Sequence, residues 1–429
     1  MFHILKNYID RNFNLLSFIA VVFCFVPLFY FSTNYVLNGW AYSDALINYS
    51  EGFIRRGLLG EIIFSIHKVT NLDIQKIHAY IFIVFTIINI FLYVLILKNI
   101  SNIRFVYIFL LFNPLLLFFP LNDTGGYLRK EIIILTLMIF HCYLCNKYHS
   151  DKLSLSKYFL IFKTLIIPGI IINTLIHDIQ LFLIPFHFIL TLNVINKDFK
   201  ILSYKNTFNK KNIILLFYIF TTIPFFIFIL YPVSPEKINL IIKNVLLADP
   251  QVFSAPIKHV SNPFLGAVKN NTTFMFSKDE LGTYNHLFEY SFLLVFSVGT
   301  IYLIFNKILN KHILIFNHSL VYLSIIPLFL LFLIGRDWGR WIHLISWAYL
   351  LFYLQFNFSK IEKKYQLIKN KFLNIILVLI CFSFLIVISL PHCCKQQTIF
   401  EGFYKNILLS YNLLINNSKH INDTFREIN

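Results

Sequence analysis

Apolar runs long enough to cross a bilayer recur along almost the whole chain, and they constrain it more than any motif does. About eleven such runs stand near 14–33, 77–97, 104–120, 131–146, 158–176, 179–194, 212–232, 288–306, 318–335, 341–357 and 372–390. In lipid the backbone must bond to itself, so a helix is the expected form of each. The runs are continuous and do not show the ten-residue alternation of an outer-membrane strand. Charged residues make up only 13% of the chain, about half the share of a soluble domain. The expected fold is an all-α polytopic membrane protein, with residues 1–390 as one integral membrane helical domain. The first run has no small-residue cleavage site and continues into Asn34 and Tyr35, so it reads as a retained span.

The formal charge of +17 would suit nucleic acid, but its distribution argues otherwise. Most lysines lie in short segments between runs, as the positive-inside rule requires. With Lys6 and Arg11 on the cytoplasmic side, the inner segments sum to about +15 and the outer ones to about +1. The expected localisation is therefore the inner (cytoplasmic) membrane, multi-pass, with a cytoplasmic N-terminus. Two outer loops stand out: 34–76, with interfacial helices, and 233–287. Residues 391–429 are an expected extracytoplasmic tail. Prolines at 235, 250, 256 and 263 argue against one long helix in the second loop. The six cysteines are too scattered for a disulfide framework. Cys142 and Cys145 form a CxxC inside an apolar run and read as packing, and no HExxH, Cys/His framework, P-loop, dinucleotide fingerprint or nucleophile elbow occurs. No metal or cofactor is expected.

On this topology every polar cluster other than a lysine run falls outside. The stretch Asn38–Lys68 holds Asp44, Glu51, Arg55 and Arg56, with Gly52 and Gly57 bracketing the arginines as if for a turn. If helical, Asp44 and Glu51 share a face two turns apart. The alternative is an amphipathic helix with arginines reaching lipid phosphate. Asn122–Glu131 combines Asp123, a Gly-Gly pair, Arg129 and Lys130 at a helix start, which suits an anion. Gly335–Trp341 sets Arg336, Asp337 and Arg340 between apolar runs, where charge is costly unless paired or functional. Trp338 is either an interfacial anchor or a platform for a sugar ring. His177–Asp178 is either a polar hairpin tip or a base with its orienting carboxylate; since helix neighbours do not face each other, the pair needs a turn.

Arginines suit phosphate or pyrophosphate, carboxylates suit activation of a hydroxyl, and aromatics suit sugar rings. Together these describe glycan transfer from a polyprenyl-linked carrier. The layout resembles the multi-span lipid-linked-donor glycosyltransferases of the GT-C type and the bacterial O-antigen and capsule polymerases. That resemblance implies a GT-C-like fold, with Asp44 in YSDALINYSEG as base and Glu51 as a second acid. It assigns Arg55, Arg56, Arg336 and Arg340 to the carrier phosphates, and a polyprenyl-linked glycan donor and acceptor as partners. The expected function is an inner-membrane polymerase of surface polysaccharide acting on the extracytoplasmic face. The alternatives are a GT-C single-sugar transferase and a flippase of lipid-linked glycan. A flippase should carry ionisable groups near mid-span.

Overall fold

The computed structural model describes residues 2–36, 39–100, 104–122, 128–197, 233–261, 287–308, 325–334, 338–356 and 411. Every regular element among them is helical. Four helical stretches are long and apolar enough to cross a membrane: Asn12–Asn34, Ile74–Ile100, Glu131–His149 and Leu155–Ile176. Gln180–Ile195 and Glu289–Phe305 are shorter apolar helices. The expected runs at 212–232 and 372–390, and the tail, lie outside the described residues.

Helix α1 is Phe2–Asn34, α2 Gly39–Ala45, α3 Leu58–Thr70 and α4 Ile74–Leu97. Asp73 caps α4, accepting hydrogen bonds from the amides of Gln75 and Lys76. The expected run 104–120 is not one helix. Helix α5 (Arg104–Leu111) stops before Asn113-Pro114, and the short α6 (Phe119–Asn122) follows a string of turns. Proline disfavours a helical residue before it, and the Asn113 side chain accepts the Leu115 amide at 2.9 Å, closing a turn instead. Helix α7 (Glu131–His149) then runs along α4, and α8 (Leu155–Ile161), a π-turn at Phe162–Ile166 and α9 (Ile167–Ile176) form one continuous stretch that packs on α7. Helix α10 is Gln180–Lys197. In the second outer loop, Pro235 opens α11 (Pro235–Ala248), which ends at Asp249 before Pro250. Next come α12 (Ser254–Lys258), α13 (Leu287–Ile308), α14 (Leu331–Ile334) and α15 (Trp338–Leu354).

Two contacts fix how α4 and α7 run together. Asn89 donates to the Ile132 carbonyl at 3.0 Å, and Asn99 meets Asn146 at 2.5 Å. Both helices therefore descend in the same direction, and α7 begins beside residue 89 of α4. Fifteen residues separate Ile74 from Asn89, so α7 starts about 22 Å below the top of α4. The three-residue link at 71–73 folds α3 back along α4, which places the turn before Leu58 at a similar depth. The turn before α7 reaches back up α4, where Leu128 and Lys130 lie against His78, so the polar stretches gather in a recess between the starts of the two helices.

The core is filled by aliphatic and aromatic side chains, with Tyr93 and Trp347 packed edge to face at 4.8 Å. A separate polar knot ties α7, α8 and α10 mid-helix. The Nδ1 atoms of His141 and His187 are 2.9 Å apart, and His141 Nε2 lies 2.9 Å from the Tyr158 hydroxyl. If the His187 proton sits on Nδ1 and the His141 proton on Nε2, both N–H groups are used and only an acceptor, His187 Nε2, is left over. The CxxC thiols are buried and act as packing groups: Cys142 donates to the Leu351 carbonyl and Cys145 abuts Tyr158.

Candidate functional site: a recessed charge cluster

The first wall of the recess is the turn structure from Leu46 to Gly57. Gly60 lets it seat on α3, because a Cβ there would stand 2.1 Å from the Ile47 carbonyl oxygen. Gly57 makes room for the Tyr49 ring, and Glu61 accepts the Tyr49 amide at 3.1 Å. Gly52 has φ +96, and Arg56, with φ +64, adopts a left-handed conformation that costs a residue with a side chain about 1–3 kcal/mol. Contacts on both ends of Arg56 hold it there. Its carbonyl accepts from Lys130 Nζ at 3.1 Å, and its guanidinium meets Asp178 at 2.7 Å and Asp44 at 3.5 Å.

Four separate stretches of chain supply the charges. Lys130, only 1% exposed, reaches Asp44 at 3.3 Å. Arg55 meets Asp178 at 3.5 Å and also donates to the carbonyls of Val260 and His259, at 3.0 and 3.3 Å. Arg340, from the first turn of α15, meets Glu131 at 2.5 Å and lies over the Trp341 ring at 4.9 Å. Arg129 adds its field to Glu131. Among the described residues, these bases outnumber the acids of the cluster, Asp44, Asp178 and Glu131.

His177 sits between two of the carboxylates. It is extended (φ −156, ψ 127), breaking the helix between α9 and α10, and this break allows adjacent residues to face each other. Its Nδ1 is 3.0 Å from Asp178 and 3.1 Å from the Ile179 amide, and its Nε2 is 3.9 Å from Glu131. With a lone pair on Nδ1, the ring accepts the Ile179 amide but turns that lone pair toward Asp178.

Neighbouring cations outweigh burial at Asp44 and Asp178 alike. Burial alone pushes Asp44 up, but Lys130 and then Arg56 outweigh it and hold the carboxyl at about 2. Asp178 lies well below the usual carboxylate range: Arg56, His177 and Arg55 overcome its burial. Burial disfavours the Arg56 charge, yet Asp178 and Asp44 raise it above the ordinary value. Lys130 goes the other way, lowered by burial despite Asp44. A carboxylate held at about 2 is a weak proton acceptor. That suits Asp44 to positioning Lys130 and Arg56, and Glu131 stands under the same kind of restraint, with Arg340 at 2.5 Å.

Of the residues expected from sequence, Asp44, Arg55, Arg56, Lys130, His177, Asp178 and Arg340 come together, with Arg129 beside them. Asp123, Arg336 and Asp337 lie outside the described residues. Glu51 goes elsewhere. Helix α2 ends at Ala45, so the shared face with Asp44 does not form, and Glu51 accepts from Asn244 of α11 at 2.9 Å. Trp338 is engaged by the protein itself: it is 6% exposed, donates from Nε1 to the Phe332 carbonyl at 3.2 Å, and packs on Phe332 and Tyr290. Glu131 was assigned no role from sequence, and its signal was an acid opening an apolar run behind two bases. No family model matches the chain, and no curated protein or solved structure matches it.

Proposed function

We propose that the chain is an inner-membrane glycosyltransferase of surface-polysaccharide assembly, joining glycan units carried on polyprenyl phosphate or pyrophosphate at the extracytoplasmic face. The observation that carries this reading is the cluster of guanidinium, ammonium and carboxylate groups gathered in one recess of an apolar bundle. Guanidinium groups bind phosphate oxygens through paired N–H donors and neutralise a departing phosphate. A carrier tail can stay among the helices while its headgroup enters the recess. Glu131 and His177 supply a carboxylate and an imidazole for moving the acceptor proton.

Of the two transfer chemistries, polymerisation of repeat units is the preferred one and addition of a single sugar the alternative. Deleting the gene and resolving the surface glycan on a gel tests both. A ladder that collapses to core plus one repeat supports the polymerase. Loss of all repeats with a shortened lipid-linked intermediate supports the single-sugar transferase. An unchanged profile refutes glycan transfer. A flippase is a second reading, favoured by the mid-helix His141–His187 pair; it predicts complete lipid-linked repeats trapped on the inner leaflet.

A further inference from the structure

A small chamber opens beside the cluster, between α4, α7, α15 and the turns at 116–120. Its volume is about 30 Å³, and Thr86, Asn89, Arg129, Glu131, Arg340 and His343 form its polar lining. That volume holds one or two waters and is roughly a tenth of the smallest ligand pockets. Its back wall is Asn89, 3% exposed, whose Nδ2 is spent on the Ile132 carbonyl and whose Oδ1 meets no partner among the described residues. Thr86 gives its proton to the Phe82 carbonyl at 2.7 Å, so its oxygen can only accept from an incoming group. His343 Nδ1 lies 2.9 Å from the Leu115 carbonyl, which places its proton there and leaves Nε2 an acceptor. Acceptors line the back and guanidinium groups the mouth, and an unmet buried acceptor calls for a donor.

We infer that this chamber is a hydroxyl subsite, in which Asn89 Oδ1, with the Thr86 oxygen beside it, accepts from one O–H group and so sets a second O–H group against the Glu131 carboxylate at the rim. The inference rests on the transfer reading above and names its nucleophile site. The same chemistry fits two neighbouring hydroxyls of a larger sugar acceptor and the two O–H bonds of a single water molecule. In the step, the oxygen of the second O–H group forms a bond to the anomeric carbon of the glycosyl phosphate. Its proton passes to the Glu131 carboxylate, and the bond from that carbon to the phosphate oxygen breaks, leaving its electron pair on the phosphate. Asn89 is a positioning residue, since it acts on the orientation of the hydroxyl.

The test uses lipid-linked saccharide extracted from cells deleted for the gene, where unused donor accumulates, and the full chain in detergent with that donor. Asn89→Leu occupies the chamber and removes Oδ1. Leu344→Phe narrows it from the opposite wall and leaves the Asn89–Ile132 bond intact. Both should lower transfer at least 100-fold and raise the acceptor KM, with donor binding changed less than twofold. Glycan extension as the lost product identifies a sugar hydroxyl, and release of free saccharide identifies water; either supports the subsite. Wild-type rates in a Leu344→Phe protein that folds, or an Asn89→Leu loss confined to stability, would mean a structural water only and overturn it. Failure of any donor to accumulate in the deleted cells would overturn the transfer reading, and the subsite with it.

Discussion

Replacing Lys130 with Met probes the cluster where its energetics are most exposed to measurement. The ammonium is 1% exposed and Asp44 is 15% exposed, so solvent replaces little of what is lost. An Asp44 carboxyl held at about 2 instead of its ordinary 3.8 contributes about 2 kcal/mol to the native state at neutral pH. Because the folded value is the depressed one, this stability is present above 3.8 and is lost as pH falls through 2. Without Lys130, Asp44 keeps Arg56 at 3.5 Å, and the Arg56 carbonyl loses its donor. Truncating one partner of a buried pair costs about 3–5 kcal/mol; the remaining arginine places the expected loss near the lower end, roughly 3 kcal/mol. Unfolding in mixed micelles, followed by tryptophan fluorescence at pH 7 and pH 4, reads it. The gap between wild type and Lys130→Met should narrow at pH 4, where the variant's Asp44 protonates and sheds its unpaired charge. Asp44→Asn combined with Lys130→Met should recover most of the loss without restoring activity. A gap below about 0.5 kcal/mol, or one unchanged between the two pH values, would refute the pairing as the source of stability.

Gly60→Ala should displace the Leu46–Ile47 backbone and with it Asp44, lowering activity more than tenfold in a protein that still inserts; full activity would mean the close approach to Ile47 is dispensable. Arg55→Lys should free the 233–261 segment, since an ammonium cannot hold two carbonyls and Asp178 together; faster hydrogen exchange at 254–261 checks this. Trp338→Phe should cost about 1 kcal/mol for the lost bond to Phe332 and leave transfer unchanged. A drop in transfer above tenfold at equal stability would support the sugar-platform role.

The sequence reading located the clusters because charge in an apolar chain is conspicuous: Arg55–Arg56, Lys130, His177–Asp178 and Arg340 each interrupt hydrophobic surroundings. Their meeting place was not legible. The outer-face expectation assumed that helices begin at a common level, and only the Asn89–Ile132 contact shows that α7 starts part-way down α4. The pairing of Glu51 with Asn244 depended on an amphipathic helix beginning at Pro235, inside a loop whose prolines argued only against a long helix. Asn89 left no periodic signal, since one asparagine in an apolar run looks the same whether it faces a chamber or a neighbouring carbonyl.

The scattered origin of the cluster sets an order of biogenesis. Asp44 and Arg56 emerge together and can neutralise each other twelve residues apart. Lys130 arrives next, then Asp178, and Arg340 comes 209 residues after Glu131, a delay of about 10–40 s at ordinary translation rates. Through that interval Glu131 opens its helix without the arginine that will meet it in the finished bundle. A nascent chain halted after α10 would therefore hold its first ion pairs around an incomplete recess. Insertion machinery or lipid headgroups would have to shelter that acid until α15 is made.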